Sequence, residues 1–290
     1  MKRLLHCLGC ALCVTGVVFV VLRLKTYSHQ VDISIFDATA WTIIGLFALI
    51  YGAANALLAR AWWHILNFLK VNTDWKWAIK TYGLSQLAKY VPGNIFHLAG
   101  RQALGMAAGF KAPPLVKSAV WELGLIAVAG TIYGLLAVPL LFPDLSLWIS
   151  FALFVVISVL LVVTLCPLLS PSIGVALIWQ MTFLAISGTV FIATLSAVTP
   201  TTIGLVGLPA FCGAYVIAWL AGLLTPGAPA GVGVREMVLL FLLGGRIEQA
   251  DLLLAVVLGR LVTVIGDLLF FFVSTALKAP LNSNDTVKTL

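Results

Sequence analysis

Charge is scarce in this chain. Only 9% of its 290 residues are Asp, Glu, Lys or Arg, against about a quarter in an ordinary soluble domain. That excludes a soluble globular protein. Histidine is also sparse, and His6, His29, His64 and His97 lie far apart. No Ser/His/Asp arrangement can be drawn from them, and no His, Cys and carboxylate group has metal-ligand spacing. A nucleotide-binding loop is missing as well. No catalytic residue, cofactor or metal is therefore expected. Of five cysteines, Cys7, Cys10 and Cys13 form "CLGCALC" inside an apolar run, where they read as small helix residues. Cys166 and Cys212 have no evident partner, so disulfides are not expected. The net charge of +7 is spread between apolar stretches. That pattern suits membrane orientation and contact with anionic lipid, and a nucleic-acid partner is not expected.

Apolar residues are abundant: 62% of the chain, with a mean hydropathy of +1.12. Several runs reach the roughly 20 residues that cross a bilayer. Full spans are expected at 4–22, 40–59, 115–142, 147–166, 173–198 and 252–277. The first reads as an uncleaved span, because it has no small-x-small cleavage site and its apolar region is too long for an ordinary signal. The tryptophans after the second span (Trp62, Trp63, Trp75 and Trp77) read as an interfacial belt. The whole chain, 1–290, is expected to be one membrane domain.

Two apolar stretches, 75–110 and 205–237, are interrupted. The first holds "KYVPGNIFHLAGRQ" (89–102) and the second "TPGAPAGVGVRE" (225–236). Neither break offers a solvated turn, and each limb is short for a crossing at 1.5 Å per residue. Irregular backbone at membrane depth is tolerated only where protein or a cavity surrounds it. Both stretches are therefore expected to be re-entrant helical hairpins, with Pro92 and Gly93 at one tip and Pro229, Gly231 and Gly233 at the other. With the N-terminus inside, ten Lys and Arg face the cytoplasm (2, 3, 60, 70, 76, 80, 111, 117, 278 and 288). Arg23, Lys25 and Arg246 face out. Both termini are thus expected in the cytoplasm.

The expected fold is all-α and polytopic, with six spans and two hairpins. It divides into two initial spans (1–74), a first hairpin-and-span unit (75–142), connecting spans (143–204), a second such unit (205–277) and a tail (278–290). The two units run in opposite senses, an inverted repeat whose paired broken helices point to a midplane site.

Seven charges remain at membrane depth: Lys89, Arg101, Arg235 and Arg260 against Glu122, Glu236 and Asp267. Each alone costs about 2.5–3.5 kcal/mol at the centre of a bilayer, so they must face one another or a wet cavity. Arg260 and Asp267, seven apart on one helical face, are a plausible pair. Structural ion pairing is one reading of the set. The other starts from the surplus of one cation. Each hairpin's second limb also aims the positive end of its dipole at the tip, Asn94 being a candidate cap for the first. Together these make an anion site, and in a membrane the anion is expected to be a lipid phosphate. Lys89, Asn94, His97, Arg101, Arg235 and Arg260 are its candidate ligands. Glu122, Glu236 and Asp267 are candidate proton carriers.

At "KYVPGN…GR", "WELG", "PAGVGVRE" and "GRLVTVIGD", over about 75–272, the chain resembles the flippase-like membrane region of lysylphosphatidylglycerol synthetases and the small stand-alone proteins similar to it. The resemblance implies Lys89, Pro92, Gly93, Arg101, Glu122, Pro229, Gly231, Gly233, Arg235, Glu236 and Asp267 as motif positions. It further implies lipid translocation in the bacterial cytoplasmic membrane, in cell-envelope lipid or polysaccharide assembly. The chain ends at "APLNSNDTVKTL" without the synthetases' aminoacyl-transfer domain, so charging a lipid with lysine is not expected of it. The leading expectation is a flippase for an anionic lipid or polyprenyl-phosphate-linked sugar. A polyprenyl-phosphate glycosyltransferase using Asp32 and Asp37, and a non-transporting subunit among envelope-biosynthesis proteins, are the alternatives.

Overall fold

A computed structural model describes residues 38–91, 95–199, 204, 207–225 and 231–278. Every regular element among these is helical. The helices are α1 (Ala38–Phe68), α2 (Trp75–Gln86, continued by a 3-10 turn over Leu87–Tyr90), α3 (Phe96–Ala107), α4 (Ala112–Leu141) and α5 (Leu147–Leu168). After them come α6 (Pro171–Val198), α7 (Leu208–Leu224), α8 (Val234–Leu243) and α9 (Gln249–Ala276). Starts follow local chemistry. Asp74 accepts the Lys76 N–H at 2.6 Å ahead of α2, and Ser170 accepts the Ser172 N–H ahead of α6, whose first residue is Pro171.

Five helices, α1, α4, α5, α6 and α9, are long and apolar enough to cross a membrane. They match five expected spans; the sixth, 4–22, lies outside the described residues. The expected end of the second span at 59 is corrected to Phe68, because "RAWWHILNF" carries on as helix. That also corrects half of the expected tryptophan belt. Trp62 is fully buried and donates its Nε1–H to Ser118 Oγ at 3.0 Å, and Trp77 stacks on it with ring centroids 6.0 Å apart. Trp63 and Trp75 instead flank Arg60, 4.7 and 5.5 Å from its guanidinium carbon. Cys166 and Cys212 are free thiols.

The two interrupted stretches form broken helix pairs. The limbs α2 and α3 have 12 residues each, and α8 has 10, or about 15–18 Å at 1.5 Å per residue. The α7 limb is longer, at 17 residues. In the bundle α1 packs along α6 and α9, α4 along α7, α9 against α2, and α8 back on α7. Helix α5 rests on α4 and α6 at the margin and is apolar on nearly all sides, with Trp148, Val156 and Val163 exposed. In water such a helix would be untenable; against lipid it is ordinary.

The α1–α9 crossing is unusually close. A Cβ added to Gly52 would lie 2.8 Å from Gly266 O, and one added to Gly266 would lie 2.8 Å from Ala48 O. Both obstacles are backbone, so neither can give way, and small residues are required here. Gly266→Val is expected to prevent assembly of the bundle, read as loss of monodisperse protein on size exclusion in mild detergent. A monodisperse variant with wild-type thermal stability would disprove this packing.

Candidate functional site

Three carboxylates at the centre of the bundle each hold one cation. Arg101 Nη1 donates to both oxygens of Glu122, at 2.6 and 2.9 Å. The guanidinium lies over the Tyr82 ring, 3.9 Å from its centroid, and Tyr82 Oη donates to Glu122 Oε1 at 2.9 Å. Lys89 Nζ is 2.7 Å from Asp267 Oδ2, which also accepts from the Tyr90 hydroxyl. Asp267 Oδ1 accepts from Asn55 Nδ2 at 3.1 Å and Gln86 Nε2 at 3.4 Å, and Gln86 also donates to Asn55 Oδ1 at 3.0 Å. Arg260 Nε donates to Glu236 Oε1 at 2.7 Å, and its Nη2 to Gly231 O at 3.1 Å. Paired and hydrogen-bonded groups of this kind are the tolerable form of buried charge, although Arg101 Nε has no partner among the described residues.

These pairs correct the expected Arg260–Asp267 bond. Seven residues along one face of α9 is about 10.5 Å of helix, so the two side chains reach different neighbours. Arg260 goes to the start of α8, and Asp267 to the end of the α2 segment.

Arg235 is the fourth cation. Among the described residues no carboxylate oxygen lies within 4.0 Å of it, and its buried Nε has no hydrogen-bond partner. Local sequence puts it there. In "GVGVRE", Gly231 and Gly233 take φ of +71° and +87°, values that favour glycine. Gly231 packs on Gly222 so closely that a Cβ would lie 2.7 Å from Gly222 Cα and 2.9 Å from Arg235 Nε. The Gly233 N–H donates to Glu236 Oε2 at 2.8 Å, fixing the first turn of α8. Arg235 then projects towards Trp219, its guanidinium carbon 5.9 Å from the ring centroid.

A chamber of about 80 Å³ lies between the two broken helix pairs. The first pair contributes Lys89 and His97, the second Trp219 and Arg235; α4 adds Glu122 and α9 adds Arg260. Among the expected ligands, then, Lys89, His97, Arg235 and Arg260 line it. Arg101 does not. It is fully buried behind Glu122, which corrects the expectation that it looks into the pocket. Glu236 and Asp267 stand behind Arg260 and Lys89, and all three expected proton carriers are the anionic partners of ion pairs. Pro92, Gly93, Asn94 and Pro229 lie outside the described residues, as do Asp32 and Asp37. Helix α3 begins at Phe96, and Ile95 before it makes no side-chain cap bond.

Sequence reasoning missed the second ring of this site: Asn55, Tyr82, Gln86 and Tyr90. Asn55 carried a signal, being a lone amide within a span. The tyrosines carried none, since aromatic residues are common throughout the chain. No protein-family model matches the chain, and no curated protein does.

Proposed function

We propose that this protein moves an anionic phospholipid or a phosphate-linked lipid-borne sugar across the cytoplasmic membrane, as the resemblance to the flippase-like region of lysylphosphatidylglycerol synthetases implies. In this reading α2–α3 and α7–α8 are re-entrant hairpins of an inverted repeat, and the membrane is crossed six times with both termini in the cytoplasm. The observation that carries it is Arg235, a guanidinium without an ion-pair partner among the described residues, in a chamber shared by both broken helix pairs. A bundle built for packing alone gains nothing from a partly buried charge with no carboxylate partner among the described residues. A lipid phosphate supplies the missing acceptor and can receive two parallel hydrogen bonds from the guanidinium.

The purified protein, reconstituted into vesicles containing headgroup-labelled phosphatidylglycerol, is expected to carry label between leaflets at least tenfold faster than protein-free vesicles. An impermeant quencher added outside reports the exchange. Equal rates with and without protein would overturn the proposal.

A further inference from the structure

The charge balance around the chamber also bears on which phosphate it admits, an inference that rests on the translocation reading above. Four cations and three carboxylates surround it, and three pairs are closed. In the sequence, 92–94 and 226–230 contain no charged residue. With His97 counted as neutral, the site carries one uncompensated positive charge among the described residues.

Two further atoms point to a guest. Of the buried side-chain nitrogens and oxygens without a hydrogen-bond partner among the described residues, two belong to residues that line the chamber: Arg235 Nε and His97 Nδ1. His97 is itself more than nine-tenths buried. Buried polar atoms in native proteins are nearly always satisfied, and the two residues that carry these atoms line one space from the two broken helix pairs. One is an obligate donor with charge. The other is a neutral ring nitrogen that can accept from a hydroxyl or donate to an oxygen.

We propose that the chamber selects a singly charged phosphodiester headgroup, Arg235 neutralising the phosphate and His97 hydrogen-bonding to the same headgroup, and that it discriminates against phosphomonoesters and pyrophosphates. A phosphodiester carries one negative charge and brings the occupied site to neutrality. A monoester carries about 1.5 to 2 negative charges at pH 7, and a pyrophosphate ester two or more. Either leaves net negative charge in a low-dielectric interior, where an uncompensated charge is strongly disfavoured. Phosphatidylglycerol and a polyprenyl-phosphate sugar, both diesters, satisfy the rule. A pyrophosphate-linked carrier does not.

The test is competition against fluorescent phosphatidylglycerol on the purified protein. Unlabelled phosphatidylglycerol, phosphatidic acid and diacylglycerol pyrophosphate with the same acyl chains serve as competitors. The diester is expected to compete at least tenfold better than the other two. Glu236→Gln adds one positive charge by leaving Arg260 unbalanced, while its amide oxygen can still accept the Gly233 N–H. That variant is expected to shift preference towards phosphatidic acid. Should Glu236→Gln fail to fold, the wild-type comparison decides alone. Equal or better competition by the pyrophosphate would overturn the charge rule and leave lipid translocation standing. Failure of fluorescent phosphatidylglycerol to bind at all would overturn both. Water-soluble glycerophosphoglycerol separates lipid from free headgroup. Competition from the lipid alone supports a membrane guest; equal competition from the soluble diester keeps the charge rule and overturns lipid translocation.

Discussion

Arg235→Gln should slow headgroup movement by roughly ten- to hundredfold and leave the thermal unfolding temperature almost unchanged. A hydrogen bond to a charged group contributes about 1.5–3 kcal/mol, and the proposed phosphate contact is the one that would be lost. Stability should hold because Arg235 makes no ion pair among the described residues, and its Nε donates to nothing. Arg101→Gln provides the contrast. It removes one partner of a buried pair and leaves Glu122 with only Tyr82 at its side-chain oxygens, a loss of about 3–5 kcal/mol. The two arginines are therefore expected to separate: one variant folds and transports slowly, the other folds poorly. Paired measurements of melting in detergent and transport in vesicles check this. Wild-type transport by Arg235→Gln would remove the central cation from the mechanism.

Asp267→Leu should be among the most damaging single substitutions. Its carboxylate is completely buried and accepts from Lys89, Tyr90, Asn55 and Gln86. Removing it strands a largely buried ammonium, again a loss of about 3–5 kcal/mol, or a fall of about 6–20 °C in Tm for a chain of this size. Replacing both partners, Lys89→Met with Asp267→Leu, should recover more than half of that fall. An apolar pair of similar volume is often as stable as the ion pair it replaces. Recovery is incomplete because the Tyr90 hydroxyl loses its Asp267 acceptor. Thermal unfolding of the two variants beside wild type decides it. A single variant as stable as wild type would mean that Lys89 and Asp267 are not coupled.

The spans were easy to read in the sequence, for a reason that does not extend to the site. Crossing a bilayer depends on length and apolarity, both of which are properties of one contiguous segment. Helices α4, α5, α6 and α9 accordingly begin and end within a few residues of expectation. Helix α1 escaped by nine residues because its last turns are held by tertiary partners, Ser118 for Trp62 and the ring of Trp75 for Arg60. The surplus of one cation was legible, since it needs only a count. Which cation stood alone was not. Spacing along α9 pointed to Arg260 and Asp267, whereas Asp267 found its partner near the end of the α2 segment and Arg260 found its own at the head of α8. Pairing is decided by how helices distant in sequence cross, and periodicity within one helix holds no information about that. Gln86, Tyr82 and Tyr90 were hidden for the same reason, whereas Asn55 stood out as a lone amide and only its partners were hidden.

The contact between Gly52 and Gly266 bears on motion. Two backbones in direct touch can neither roll nor slide past each other without first parting, and the amide of Asn55 pins Asp267 one residue from the joint. Helices α1 and α9 thus form a fixed strut through the molecule. In the proposed transport cycle, the parts that open the chamber to one leaflet and then the other must swing around that strut and leave it in place.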